Sequence, residues 1–201
     1  MRSVRVPAER VERWVENVGG RHGEVTLAVA DGVLIGRAED DTTFSARLPF
    51  GAAYDGPADA ASFAAAVVAP PDWGVLLVRK GGFAIGRLAA DALREHKIGQ
   101  RHVQGRTKAG GQSQQRFARR RDNQARQAFE AAADHAARLL GGLGPVVTGG
   151  DHAAVDEVLA DRRLTGLAVV GPWLPVPDPR RRELDAAIAD AQAAVLDIDE
   201  P

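Results

Sequence analysis

The chain contains no cysteine, so neither disulfides nor thiolate metal sites can form. It also lacks a long apolar run, and nothing in it approaches the ~20 residues that a membrane span needs. The opening Met1-Arg2-Ser3-Val4-Arg5-Val6-Pro7 has no apolar signal-peptide core. The five histidines, His22, His96, His102, His135 and His152, show no metal-ligand spacing. Gly149-Gly150 follows a short apolar run and superficially suggests nucleotide binding, yet neither a dinucleotide fingerprint nor a P-loop lysine accompanies it. Asp151-His152 comes with no serine or cysteine nucleophile motif, so Asp151 reads as a helix cap. These absences point to the cytoplasm, with no membrane partner.

With 201 residues and a hydrophobic fraction of 45%, the chain can bury a proper core as one domain or one domain with a small appendage. A net charge of −1 conceals an asymmetry. Residues 94–126 carry ten Lys or Arg against Glu95 and Asp122, a balance of +8, while the remainder stands at −9. A solvated helix face usually mixes both signs. A one-sided basic stripe on an acidic body is the electrostatic footprint of nucleic-acid binding. The Ala/Arg/Gly/Asp-heavy composition suits a bacterium with a GC-rich genome.

Periodicity and turn residues predict a helix over 7–18 stopped by Gly19-Gly20, then strands at Glu24–Ala30, Val33–Ala38 and Thr43–Leu48. An alanine-rich helix at Ala58–Val68 ends before Pro70-Pro71. Trp73–Val78 and Phe83–Leu88 read as a hairpin around Gly81-Gly82, and 91–103 as a strand leading to a glycine loop at 104–112. Ser113 can cap a helix through Leu140, ended by Gly141-Gly142. A strand at Pro145–Thr148, a helix at His152–Ala160 and a strand at Leu167–Val170 follow. Pro172, Pro175, Pro177 and Pro179 then break regular structure ahead of a helix at about 181–196. Strands followed by helices imply an α/β (α+β) fold with a mixed sheet and helices packed against it.

Residues 108–121 read Lys-Ala-Gly-Gly-Gln-Ser-Gln-Gln-Arg-Phe-Ala-Arg-Arg-Arg. Gly110 and Gly111 permit positive φ and close approach to another molecule. After the neutral amide Gln112 comes a helix-forming segment in which Arg116, Arg119 and Arg120 stand at i, i+3 and i+4, on one helix face. Arg101, Arg106 and Lys108 flank the loop on its other side, and Arg121 and Arg126 continue the series. A bare tip followed by a basic helix suits a loop pushed into an RNA-lined cavity, the cations holding phosphates without reading sequence. Phe117, between arginines, reads as a core anchor.

Gly110-Gly111-Gln112, with Ser113 and Arg116-Phe117-Ala118-Arg119 after it, resembles the catalytic domain of eukaryotic and archaeal class 1 peptide-chain release factors. It resembles more closely the Vms-like release-factor domain, a ribosome-rescue relative. Three residues alone are a weak signal; the matching continuation and the basic run-up make it strong. The resemblance extends over about 72–170. It implies a twisted mixed sheet with the Gly-Gly-Gln loop projecting from one end. It also implies a peptidyl-tRNA hydrolase acting on the ribosome, with Gln112, Gly111 and Gly110 as the catalytic residues. The partners it implies are the large subunit with its rRNA, and peptidyl-tRNA, not DNA; neither a metal nor an organic cofactor is implied.

The expected layout is one release-factor-like domain over 1–170, divided into 1–70 and a catalytic core at 72–170, then a Pro-rich linker and C-terminal helix over 171–201. No decoding domain fits beside that core in 201 residues, so rescue of stalled peptidyl-tRNA is expected rather than stop-codon termination. Two other readings stand beside it. The domain cuts the tRNA 3′ end instead of the peptide ester, or it occupies the ribosome without turnover.

Overall fold

The computed structural model describes residues 1–100 and 112–201, with side chains described from residue 126 onward in the helix that begins at 112. The chain forms two units, Met1–Ala69 with Ile188–Pro201, and Pro70–Ala187. Among the described residues no helix is long and apolar enough to cross a membrane.

The first unit holds strands β1 (Arg2–Val6), β2 (Val25–Ala30), β3 (Val33–Ala38) and β4 (Thr43–Arg47), and helices α1 (Val11–His22) and α2 (Ala60–Ala66). A last strand, Ala194–Asp199, is β10 in chain order. The five make an antiparallel sheet in the order β1-β10-β4-β3-β2. Asp31 and Gly32, at φ 51 and 76, make the β2–β3 turn with the two positive φ values that tight hairpins favour. In β3, Leu34, Gly36 and Ala38 are buried and Ile35 and Arg37 exposed, the period-2 alternation of a half-buried sheet. Leu34, Ala46 and Leu196 form a core with Val11, Tyr54 and Phe63.

The second unit carries β5 (Trp73–Arg79), β6 (Gly82–Ala89), β7 (Ala92–Gln100), α3 (Gln112–Leu140), β8 (Pro145–Gly150), α4 (His152–Leu159) and β9 (Ala168–Leu174). Helix α5 (Arg181–Gln192) spans the boundary between the units. The sheet order is β7-β6-β5-β8-β9. β5, β6 and β7 run antiparallel, whereas β8 is parallel to both β5 and β9. The α+β class and the mixed sheet are as expected; the N-terminal strands form a second, antiparallel sheet. Six successive residues of β5 are buried, as in a strand covered on both faces. In the core that Leu139 and Leu140 of α3 share with Leu76, Ile85 and Val146 of the sheet, all five lie within 1% of full burial, each contributing roughly 1.5–3 kcal/mol of apolar transfer.

Several elements depart from the pattern. Helix α1 starts at Val11, after a 3₁₀ turn at Ala8–Arg10, and runs through Gly19-Gly20 to His22. A glycine costs a helix about 1 kcal/mol relative to alanine but keeps its N–H in the ladder. Gly23, at φ 89, terminates α1, its N–H donating to the Gly19 carbonyl at 3.1 Å. Because α3 begins at Gln112, Ser113 lies inside its first turn and is not its cap. Strand β9 continues to Leu174 through Pro172, which an edge strand tolerates because a missing N–H there leaves no partner unpaired. α5 stops at Gln192, and β10 takes up the residues read as its last turn. β1 was not anticipated.

Candidate functional site

In sequence, the segment bearing the Gly-Gly-Gln motif lies between strand β7 and helix α3 of the second unit. Residues 101–111, with Gly110, Gly111, Arg101, Arg106, Lys108 and His102, lie outside the described residues. What the structure describes is the mount on either side of them.

On the upstream side, β7 is an edge strand that, among the described residues, pairs with β6 alone. Its Arg94, Glu95, His96 and Lys97 are all exposed, and charged residues on an edge strand discourage pairing with another chain. On the downstream side, Gln112 is the first residue of α3, a helix of 29 residues and hence about 43 Å long at 1.5 Å per residue. Arg116, Arg119, Arg120, Arg121 and Phe117 fall in its first half, where side chains are not described. Arg126 is exposed. From Ala128 the helix is anchored by Ala128, Ala132, Ala133, Ala136, Leu139 and Leu140, spaced three or four apart on one stripe. Gly141 and Gly142 follow it, Gly142 at φ 75.

The two sides of the mount also meet directly. Arg138 of α3 donates to Glu95 of β7 at 2.5 Å; both side chains are about half exposed, so the pair contributes ~0–1 kcal/mol. His135 of α3 lies beside the Phe83 ring, centroids 5.7 Å apart. Burial, reinforced by the cations Lys97 and Arg138 against a weaker opposing pull from Asp134, holds the His135 imidazole below its ordinary pKa. Within the described part of the basic segment, the charges are therefore mixed: Glu95 is engaged by Arg138, while Arg94, Lys97 and Arg126 face solvent.

The remaining described histidines have structural partners. Nε2 of His96 lies 3.1 Å from the Arg181 guanidinium, which also pairs with Asp185. His152 stacks on Trp173 with ring centroids 3.6 Å apart and planes at 11°. Nδ1 of His22 donates to Asp40 at 2.8 Å. Asp151 caps α4, its carboxylate accepting from the Ala154 N–H at 3.1 Å, as its place before the helix suggested.

Pattern reading passed over Gly99, the penultimate residue of β7. Its signal was available, since a glycine inside a strand often marks a close approach. The Phe83 ring occupies the place where a Cβ on Gly99 would stand.

With this geometry described, the comparisons bear on identity. The chain belongs to the Actinobacteria/chloroflexi VLRF1 release factor family, whose model matches residues 71–197. The resemblance to the Vms-like release-factor domain read from residues 110–119 is thus borne out. The match covers the mixed sheet, α3 and the segment holding the Gly-Gly-Gln motif, and runs into β10. No curated protein matches the chain. Among solved structures it is similar to Pelota of Archaeoglobus fulgidus, at a TM-score of 0.37 and 12% identity, over 92% of this chain. It spans 60% of that chain's length.

Proposed function

We propose that this chain is a ribosome-associated peptidyl-tRNA hydrolase that frees nascent peptides from stalled ribosomes or large subunits without a stop codon. The observation that carries the reading is Gly110-Gly111-Gln112, with its Ser113 and Arg116-Phe117-Ala118-Arg119 continuation, inside the stretch 71–197 that matches a release-factor family. The fold gives that motif a suitable mount. A strand paired in the sheet precedes it, and a helix whose second half buries one face follows it.

The scissile bond is the ester between the peptide and the tRNA 3′ ribose. Its hydrolysis needs a placed water, stabilisation of the tetrahedral oxyanion and protonation of the departing 3′ oxygen. The glutamine amide has no useful pKa, so Gln112 is not a general base. Its side chain orients the water while its backbone N–H donates to the developing negative charge. Gly110 and Gly111 allow that N–H to reach a crowded RNA centre. Arg101, Arg106, Lys108, Arg116, Arg119, Arg120, Arg121 and Arg126 hold rRNA or tRNA phosphates. The cytoplasm is where such a substrate is met.

The motif holds no titratable group, so much of the barrier reduction comes from the RNA that fixes ester and water. Peptide release is therefore measured on peptidyl-tRNA held by stalled ribosomes or large subunits and on free peptidyl-tRNA. Rapid release from the ribosomal complexes, leaving an intact tRNA 3′ end, with free peptidyl-tRNA hydrolysed barely faster than in buffer, is the expected result. Efficient turnover of free peptidyl-tRNA overturns the ribosome-dependent mechanism. A shortened tRNA 3′ end replaces ester hydrolysis with tRNA cleavage, and binding without release replaces the enzyme with a binding factor.

A further inference from the structure

We propose that the free edge of β2 in the first unit docks an extended segment of a basic protein, which joins its five-stranded sheet as a further strand. Among the described residues the two sheets present four edge strands, and three of them carry a feature that discourages further pairing. β1 contains Arg2 and Arg5, β7 exposes Arg94, Glu95, His96 and Lys97, and β9 contains Pro172. β2 carries none. Its sequence, Val25-Thr26-Leu27-Ala28-Val29-Ala30, has no charge, proline or glycine, and all six residues pair with β3 without a register shift. The Asp31-Gly32 turn decides which of its backbone groups are free. Ala30 and Val33 close that two-residue hairpin as a hydrogen-bonded pair, so Thr26, Ala28 and Ala30 direct their N–H and C=O groups to β3. Val25, Leu27 and Val29 direct theirs outward, and among the described residues none of the three has a backbone partner on that side. An added strand bonds there.

The side chains beside the edge define the occupant. On the core-facing side Val25, Leu27 and Val29 are only half-buried, leaving apolar surface for a neighbouring strand to cover. On the opposite face Thr26 and Ala28 are small and exposed, and with Ile35, which is 38% exposed, they line an open recess of about 490 Å³. Two exposed carboxylates, Glu24 and Glu39, also line it. Glu39 lies over Gly23, its Oε2 2.5 Å from where a Cβ on that glycine would stand. Arg37, the cation in the lining, pairs with Asp41 at 2.5 Å, so the recess keeps a negative balance. A Lys or Arg on an incoming strand lays its methylenes over Ala28 and Ile35 and brings its charge to those carboxylates. The unit as a whole has the same sign. Residues 1–69 and 188–201 hold seven Lys or Arg against fourteen Asp or Glu, a net −7. That charge disfavours RNA and a second copy of this chain and favours a basic polypeptide. The segment that fits alternates apolar residues with Lys or Arg.

The test uses the full chain and a synthetic peptide alternating Val and Lys, with an alternating Val-Glu peptide as the control. Hydrogen exchange followed by NMR reads the amides one by one. At saturation the Val-Lys peptide is expected to slow exchange about tenfold or more at Val25, Leu27 and Val29. Thr26, Ala28 and Ala30, already bonded to β3, should not change, and the Val-Glu peptide should protect none of the six. Leu27→Pro removes one outward N–H and spares the β3 ladder, so the Val-Lys peptide should bind it about tenfold more weakly. Glu24→Gln with Glu39→Gln should weaken binding about threefold to tenfold and flatten its salt dependence. These two exposed changes carry the test if Leu27→Pro does not fold. Equal protection by the Val-Glu peptide, or full affinity in the doubly neutralised variant, overturns the basic partner. Protection that appears without peptide and grows with protein concentration replaces that partner with a second copy. No protection of the three amides at millimolar Val-Lys peptide, or full affinity in a folded Leu27→Pro, overturns the docking edge. None of these readouts involves peptide release, so a failure here is distinguishable from a failure of the release reading.

Discussion

His22, the last residue of α1, donates through Nδ1 to the carboxylate of Asp40 in the turn between β3 and β4 at 2.8 Å. That hydrogen bond, helped by the Thr42 N–H donating to the same carboxylate at 3.0 Å, lowers the Asp40 pKa from 3.8 to about 2. The folded state therefore keeps Asp40 ionised at a pH where the unfolded chain protonates it. The stabilisation is complete above about pH 4 and is lost as the pH falls toward 2. Asp40→Asn should melt lower than wild type at neutral pH and lose less on acidification across that window. The readout is the difference between the two melting curves, because Asp161 is also lowered to about 2. Parallel pH profiles would remove the assignment.

His135 shifts stability in a different range. Its imidazole is held neutral by burial and by Lys97 and Arg138, so below pH 6.5 the unfolded chain binds a proton that the folded chain resists. Stability then rises with pH through that region and falls on going from pH 7 to pH 5. His135→Gln should flatten the fall, as measured by denaturant midpoints at the two pH values. A fall of wild-type size in the variant would show that other groups carry it.

Gln112→Ala should reduce peptide release by about 10²–10³-fold, the loss typical of a missing transition-state donor or orienting group. Gly111→Ala should be at least as damaging, because a Cβ restricts φ and blocks close approach. Gln112→Ala, at a residue assigned to chemistry and not to folding, should melt within roughly a degree or two of wild type. Release at the wild-type rate in both would end the catalytic assignment.

Neutralising Arg116, Arg119 and Arg120 together should weaken ribosome association and flatten its salt dependence by ~1 in log–log slope for each phosphate that these cations neutralise in the wild type. Co-sedimentation across a salt series measures it. An unchanged slope would identify the stripe as solvated surface.

What could be read from sequence was local. The hairpins, α2, the second half of α3 and the Asp151 cap are governed by neighbours within a few residues, such as Asp31-Gly32 or the Ala132–Ala136–Leu140 stripe. β1 and β10 were not legible, because each is specified by its partner: Val4 faces Leu196 and Val6 faces Ala194 across nearly the whole chain. Ala193 and Ala194, strong helix formers, extended the apparent α5 into the start of that strand. The motif residues were legible because their chemistry is unusual for a structural loop. The Gly99–Phe83 fit was not, since a missing side chain identifies no partner until the ring is seen in its place.

Strand order also sets a timetable for synthesis. β10 lies between β1 and β4, yet its residues are translated nearly two hundred positions after those of β1. Until it emerges, β1 has no neighbour in its sheet and β4 keeps an open edge. A growing chain can fold β5 through β9 while the sheet of the first unit still lacks one of its inner strands, so β1, translated before those strands, is completed after them.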